Sequence, residues 1–179
     1  MHEVLPYILH GQMKLSDDHE KLISVLNRKI TPRGKYLIAV DGMTGSGKSG
    51  LSRYLAWQLD MPVIETDMLR RTREEQPSYC LEELKSLIQV RHELDRPVLI
   101  EGIFLLDTLN KLGIEPDYMI YVKNSKANAG CALRNSLPEY LDKYEPEERA
   151  NYVFCTDFIN MYNTSNEPAS SSEIIYPKK

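Results

Sequence analysis

Residues 42–49 read Gly42-Met43-Thr44-Gly45-Ser46-Gly47-Lys48-Ser49 and match the pattern G-x-x-x-x-G-K-[ST] at every fixed position. The preceding residues 36–41 (YLIAVD) form a short, mostly apolar run of the length expected for a strand that is buried on both faces. Residues 48–59 place leucines on one helical face, which predicts a helix directly after the glycines. Because a strand, a glycine-rich turn and a helix follow in this order, we predict a phosphate-binding loop, or P-loop, at 42–49.

The residue types in this loop fit the triphosphate of a nucleotide together with magnesium. Glycines at three positions allow the backbone to turn its N–H groups inward around phosphate oxygens, where a side chain would obstruct the ligand. Lys48 adds a positive charge over the β- and γ-phosphates, and the Ser49 hydroxyl ligates Mg²⁺. The helix that begins here directs its positive end at the anion. The predicted nucleotide-binding residues are Gly42, Thr44, Gly45, Ser46, Gly47, Lys48 and Ser49.

Further along the chain, short apolar runs alternate with helical patterns, which is typical of a parallel sheet flanked by helices. Together with 36–41, the runs at 62–66, 97–101, 118–122 and 152–155 predict five parallel strands. Helices are predicted at 15–30, 48–59, 79–95, 105–112, 127–135 and 138–144. The fold class is therefore α/β in three layers, with a covering helix in 1–34, the P-loop domain in 35–162 and a loop or mobile tail in 163–179.

Three carboxylates follow predicted strands and should meet at one edge of the sheet, where open α/β folds bind ligands. Glu101 ends an apolar strand and is the predicted acidic partner of magnesium, with a solvent-exposed carboxylate as the alternative. Asp67 is the candidate general base for an attacking substrate hydroxyl, and its alternative role is to cap a helix from Met68 onward. Asp41 supports the loop or the metal, or simply forms a turn.

Cations after the second and fourth strands are candidates for contacts with substrate and with the reacting phosphoryl group. Arg70 and Arg71, with Arg73 beside them, offer bidentate hydrogen bonds to a polar or anionic substrate group. Arg134 is the predicted catalytic cation of a lid, ahead of Lys123 and Lys126. The alternative for each of them is a solvated surface charge.

Composition narrows the setting and the partners. A chain of 179 residues with 42% hydrophobic content predicts one core, and a formal net charge of −4 argues against binding to nucleic acid or to an anionic membrane. Three cysteines form no C-x-x-C pair, which indicates a reducing compartment. Because no apolar stretch approaches the length of a membrane helix, we expect a cytoplasmic protein. Its expected partner is a small-molecule acceptor, and its oligomeric state is open between monomer and homodimer.

The segments 39–49, Thr66-Asp67 and 100–104 (IEGIF) together resemble the uridine kinase-like branch of P-loop kinases, over roughly 35–155 of the chain. The resemblance implies ATP as the donor, Asp67 as the carboxylate on the substrate side, and phosphorylation of a nucleoside, sugar or vitamin hydroxyl. The chain departs from the family at Asn151, where an Asp is usual, and in a lid region with few arginines. It also lacks the insertion after the second strand that uridine kinases use around the nucleoside.

Other functions remain open at the level of the sequence. A nucleotide-binding regulator would keep the P-loop but transfer phosphate poorly, because the loop alone supplies binding. A nucleotide monophosphate kinase would use the arginines at 70, 71 and 73 to bind a phosphate acceptor. A GTPase-like switch is disfavoured, since the nearest match to its N-K-x-D signature, residues 110–113 (NKLG), lacks the acid.

Overall fold

The computed structural model describes residues 15–71, 78–125 and 136–156. Within these ranges, five strands form one all-parallel sheet in the order β2-β3-β1-β4-β5, which confirms the predicted fold class. The strands are β1 (Leu37–Gly42), β2 (Val63–Glu65), β3 (Val98–Gly102), β4 (Tyr118–Asn124) and β5 (Tyr152–Thr156). The helices are α1 (Asp17–Lys29), α2 (Lys48–Gln58), α3 (Leu81–Glu93), α4 (Leu105–Leu112), α5 (Leu137–Tyr144) and α6 (Pro146–Arg149), with a 3₁₀ turn at Thr66–Leu69.

The central strand β1 divides the core into two layers because its side chains alternate between the faces of the sheet. Ile38 and Val40 pack with α1 and α2 on one face. Leu37 and Ala39 pack with α3, α4 and α5 on the other face. All six residues of β1 are buried, as expected for the middle strand of a sheet covered on both sides. Asp41 shares the alternation of Leu37 and Ala39.

Polar side chains fix the beginnings of neighbouring strands. The Leu37 N–H donates to Asp117 Oδ2 at 2.8 Å, and the Met119 N–H donates to Asn151 Oδ1 at 2.7 Å. Asn151 stands where the resembling family usually has Asp, and its amide oxygen accepts the strand N–H as a carboxylate oxygen would. Asn151 therefore holds the beginning of β4 through this hydrogen bond.

The predicted covering helix corresponds to α1, whose Leu22 and Leu26 are fully buried against the sheet face that carries α2. The predicted helix at 127–135 and the predicted tail at 163–179 lie outside the described residues, and the division into three regions stays a prediction. Among the described residues, no helix has both the length and the apolar character that crossing a bilayer requires.

Candidate active site

The loop between β1 and α2 has the backbone that its glycines predict. Gly45 and Gly47 have φ values of 76° and 91°, in the left-handed region that favours glycine, and α2 begins directly afterwards at Lys48. At Gly42 the requirement is steric, because a Cβ there would lie 2.5 Å from the Val122 carbonyl oxygen. These positions explain why the pattern needs glycine where it does.

Two side chains that sequence analysis did not single out hold the loop from the neighbouring strands. Asn124 Nδ2 donates to the Gly45 carbonyl oxygen at 3.3 Å, and Thr156 Oγ1 donates to the Ser46 carbonyl oxygen at 2.7 Å. The C=O and N–H of one planar trans peptide point in opposite directions, so the Thr156 bond also fixes the direction of the Gly47 N–H. Asn124 and Thr156 are the last residues of β4 and β5, beyond the points where we predicted those strands to end.

Lys48, Ser49 and Glu101 come together at the carboxyl edge of β1 and β3. Ser49 Oγ donates to Glu101 Oε1 at 3.1 Å, and Lys48 and Glu101 are only 9% and 2% exposed. Glu101 Oε2 is buried and has no hydrogen-bond partner in the described part of the chain. Burial raises the pKa of Glu101, against the opposing effects of the Lys48 charge and the Ser49 hydrogen bond. A hydroxyl and a carboxylate oxygen are ligands that suit Mg²⁺, and the unpartnered Oε2 is a place for one more polar contact.

Asp41 lies at the end of β1 and is only 1% exposed. Its Oδ1 accepts the Gly42 N–H at 2.7 Å, and its Oδ2 accepts the hydroxyl of Tyr140 from α5. Burial raises the pKa of Asp41 to about 6, while the bonds from Tyr140 and Gly42 and the charge of Lys48 act in the opposite direction. Asp41 is therefore a buried carboxylate directly before the loop rather than an exposed turn former.

Asp67 lies in the 3₁₀ turn that follows β2, and its side chain is exposed. The cap position of this turn is Glu65, so Asp67 does not occupy the capping position that was its alternative role. The charge of Asp67 contributes to the raised pKa of Glu101, which places the two carboxylates near each other. Its role as general base stays a prediction.

The predicted substrate arginines differ in their surroundings. Arg71 Nε donates to Cys80 Sγ at 3.3 Å, and its backbone N–H bonds to the Ser78 carbonyl oxygen at 2.7 Å. Arg70 is exposed and forms an antiparallel backbone bridge with Tyr79. Burial raises the pKa of Tyr79, and the positive charge of Arg70 partly opposes this rise. Their roles in substrate binding stay predictions.

Of the predicted lid cations, Lys123 forms a salt bridge with Glu147 at 2.7 Å, in line with its alternative role as a surface charge. Arg73, Lys126 and Arg134 lie outside the described residues, so the predicted catalytic role of Arg134 is not tested here.

An ion pair beside the site also escaped sequence analysis. Arg53 of α2 donates two hydrogen bonds to Glu65, with both N···O distances at 2.6 Å. Glu65 is the register partner of Glu101 in the sheet. The Arg53–Glu65 ion pair therefore lies one strand away from the hydrogen bond between Ser49 and Glu101. An i to i+12 pairing between a helix and a strand leaves no periodic signal in the sequence.

The residue after Glu101 is held at close range by the 3₁₀ turn. A Cβ at Gly102 would lie 2.2 Å from Thr66 Oγ1, so only glycine fits there without a shift of the buried Thr66. This contact connects the end of β3 with the turn that follows β2. Packing therefore requires glycine at position 102, next to the carboxylate of Glu101.

The fold is similar to that of two solved structures. One, of a possible uridine kinase from Bacillus stearothermophilus, is 19% identical with a TM-score of 0.54, and the match covers 76% of this chain and 99% of that chain. The other, of a proposed fructose transport system kinase from Silicibacter sp. TM1040, is 17% identical with a TM-score of 0.51, covering 80% and 100%. No protein-family model and no curated protein sequence matches the chain. The two likenesses confirm the predicted α/β fold of P-loop NTPases.

Proposed function

We propose that this chain is an ATP- and Mg²⁺-dependent kinase that phosphorylates a hydroxyl group of a small molecule. The observation that carries the proposal is the contact between Ser49 and Glu101 beside the buried Lys48, with Glu101 Oε2 unpartnered. Burying a carboxylate with an unsatisfied oxygen is costly unless a ligand completes its bonding. The two solved structures to which the chain is similar are described as kinases, in agreement with this assignment.

Each residue of the site has a role in this reaction. Ser49 and Glu101 would hold Mg²⁺, which when bound neutralises charge on the β- and γ-phosphates. Lys48 would place its ammonium group against the same phosphates, and the backbone of 42–47 would supply N–H donors. Asp67 would accept the proton of the acceptor hydroxyl as its oxygen forms a bond to the γ-phosphorus and the bond to the departing diphosphate breaks.

The charges at this edge of the sheet favour an uncharged hydroxyl over a phosphate as acceptor. Asp67 is an exposed carboxylate in the turn after β2, and its negative charge disfavours a phosphate acceptor beside it. The guanidinium of Arg71, a candidate partner for a phosphate acceptor, is directed at Cys80. A nucleoside, sugar or vitamin alcohol is therefore the proposed substrate class, ahead of a nucleotide monophosphate.

The test is ATP consumption with Mg²⁺ against a panel of nucleosides, sugars, vitamins and monophosphates. Lys48→Ala is the inactive variant, and Lys85→Ala, an exposed lysine on α3, is the matched control. We expect turnover that depends on one class of hydroxyl acceptor, is lost in Lys48→Ala and is retained in Lys85→Ala. ATP binding without turnover for any acceptor would instead support a nucleotide-binding regulator, and turnover with monophosphates alone would support a nucleotide monophosphate kinase.

Asp67→Asn separates the base from the binding residues in the same assay. We expect it to keep ATP affinity and to lower acceptor-dependent turnover by roughly 100-fold or more, in the range of lost general-base catalysis. Unchanged turnover in Asp67→Asn would show that another group takes the proton.

A further inference from the structure

Tyr140 joins two loops that the proposed reaction needs. Its hydroxyl donates to Asp41 Oδ2 at the start of the P-loop, and its oxygen accepts the Leu106 N–H at 3.2 Å in the first turn of α4. The side chain is buried, and its ring packs edge-on against Phe104 with the centroids 4.9 Å apart. A single side chain from α5 thus contacts the residues that follow β1 and those that follow β3.

The loop after each of these strands is tied to a group of the candidate active site. Asp41 leads into the loop that presents Lys48 and Ser49, and α4 begins three residues after Gly102, at the end of the strand that carries Glu101. The 3.1 Å contact between Ser49 and Glu101 requires that these two loops keep their relative position. Motion of one loop relative to the other would separate the groups proposed to hold magnesium.

The beginning of α4 has no side-chain cap of its own and is held from outside the helix, where the Leu105 N–H also bonds to Asp41. Its cap residue Phe104 has φ 53°, a left-handed conformation that is uncommon outside glycine, and its side chain makes no capping hydrogen bond. The Tyr140 hydroxyl oxygen takes the place of a cap by accepting a free N–H of the first turn. Its ring also covers Phe104, which holds that residue in place.

We propose that Tyr140 is a positioning residue for nucleotide and Mg²⁺ binding, acting through Asp41 and the first turn of α4 to hold the P-loop in register with Glu101. The inference rests on the proposed function, because it needs the P-loop to bind a nucleotide. Tyr140 does not touch the phosphates in this role. It determines where the groups that do touch them are placed.

The test compares two tyrosines of the same helix. Tyr144 lies one turn after Tyr140, and its hydroxyl also donates to an aspartate, Asp107, at 2.9 Å. Asp107 is in α4 but outside the P-loop and the Glu101 strand. Tyr140→Phe and Tyr144→Phe each remove one hydroxyl and keep the ring, so the difference between them reports the two bonds of the Tyr140 hydroxyl, to Asp41 and from the Leu106 N–H.

The measurement is Mg-ATP affinity by calorimetric titration, with the melting temperature of each variant recorded alongside. We expect Tyr140→Phe to weaken binding by about three- to tenfold and Tyr144→Phe to leave it unchanged, even where both lose similar thermal stability. Equal affinity of wild type and Tyr140→Phe would overturn the inference. So would equal weakening by both variants, because the effect would then come from α5 as a whole.

A double-mutant cycle with Asp41→Asn shows whether the two side chains act together. If Tyr140 acts through Asp41, the double variant should bind about as weakly as the weaker single variant, and additive losses would contradict the inference. Should Tyr140→Phe fail to fold, Asp41→Asn alone decides: weakened Mg-ATP binding supports the inference and unchanged binding overturns it. Wild-type protein that binds Mg-ATP no better than Lys48→Ala would overturn the proposed function itself, a result distinct from unequal variants of a protein that binds.

Discussion

Two carboxylates end neighbouring strands of the same sheet, and their surroundings differ in one respect. Asp41 at the end of β1 and Glu101 near the end of β3 are both buried, and burial raises the pKa of both. Both oxygens of Asp41 accept hydrogen bonds from within the protein, whereas Glu101 uses one oxygen for Ser49 and leaves the other unpartnered. Asp41 thus has a hydrogen bond at each oxygen, whereas Glu101, although similarly buried, has one oxygen left without a partner.

The difference indicates how a strand end is adapted to a ligand. A buried polar atom without a partner lowers stability, so it persists in a fold when a ligand supplies the missing bond. Both oxygens of Asp41 already accept hydrogen bonds, one of them from a residue 99 positions away in sequence. The comparison therefore favours the end of β3 as the proposed magnesium site and the end of β1 as a support of the loop.

The largest expected effect comes from replacing each carboxylate with its amide. Glu101→Gln should lower acceptor-dependent turnover by about 100-fold, because the amide is a poor magnesium partner. Asp41→Asn should lower turnover by only about 10-fold, since its side chain acts on the reaction through the loop. Steady-state kinetics at saturating ATP and varied Mg²⁺ measures both variants.

A stability measurement completes this comparison. The raised pKa of Glu101 means that its charge opposes folding at neutral pH, so ligand-free Glu101→Gln should melt at or above the wild-type temperature. Two results would contradict the contrast between the two strand ends. One is that Asp41→Asn reduces turnover as much as Glu101→Gln, and the other is that ligand-free Glu101→Gln melts below the wild-type temperature.

The second effect is a pH dependence of stability that comes from Asp41. Its pKa is raised from 3.8 to about 6 in the folded protein, so between these values the folded state binds more protons than the unfolded state. The contribution of Asp41 to the free energy of unfolding should therefore fall as pH rises through this window, by on the order of 3 kcal/mol, and level off above it. Denaturant titrations between pH 4 and 7 should show this fall in wild type and a smaller one in Asp41→Asn.

Asp142→Asn provides the matched control, since Asp142 is exposed on α5. We expect the same fall as in wild type. An Asp41→Asn curve with the same slope as wild type between pH 4 and 6 would contradict the assignment of this dependence to Asp41.

The sequence predicted the strands and the acidic residue of the site better than the hydrogen bonds that hold the P-loop in place. Apolar runs and the glycine pattern located all five strands and predicted that β1 is buried on both faces, because such burial leaves a continuous local signal. Glu101 was found by the same logic, as an acid directly after such a run. Its position beside Ser49 follows from the parallel register of the strands.

The supports of the loop could not be predicted from local pattern. Asn124 and Thr156 lie two residues and one residue past the apolar runs that mark their strands, where hydropathy cannot separate a strand end from a loop. The bond between Tyr140 and Asp41 joins residues 99 positions apart, and helical spacing identifies Tyr140 only as a buried aromatic. Such contacts depend on how the helices pack on the sheet, which periodicity does not specify.

A third effect sharpens the account of the β3 end. Gly102→Ala would place a methyl group 2.2 Å from Thr66 Oγ1, so we expect a loss of about 2 kcal/mol in the free energy of unfolding. The double variant Gly102→Ala, Thr66→Ala should recover part of that loss, because it removes the clashing oxygen. Gly50→Ala in α2 is the control, since a Cβ there meets no atom within 4 Å, and it should stabilise the protein by about 0.5–1 kcal/mol. If both single variants changed stability alike, the glycine requirement would be one of backbone freedom and not of contact.

The smallest effect belongs to a third carboxylate at the same edge, Glu65, which pairs in register with Glu101. The hydrogen bonds from Arg53 lower its pKa, opposite to the shifts of Asp41 and Glu101, so its contribution is present above its unfolded pKa and is lost as pH falls. Because Arg53 is 65% exposed, solvent screens the pair, and Arg53→Gln should reduce the free energy of unfolding at pH 7 by less than about 1 kcal/mol. The same variant measured near pH 3 should differ even less from wild type. If Arg53→Gln reduced the free energy of unfolding at pH 7 as much as Gly102→Ala, Arg53 would also compensate the buried charge of Glu101. The charge of Glu101 does interact with Arg53 and contributes to its raised pKa.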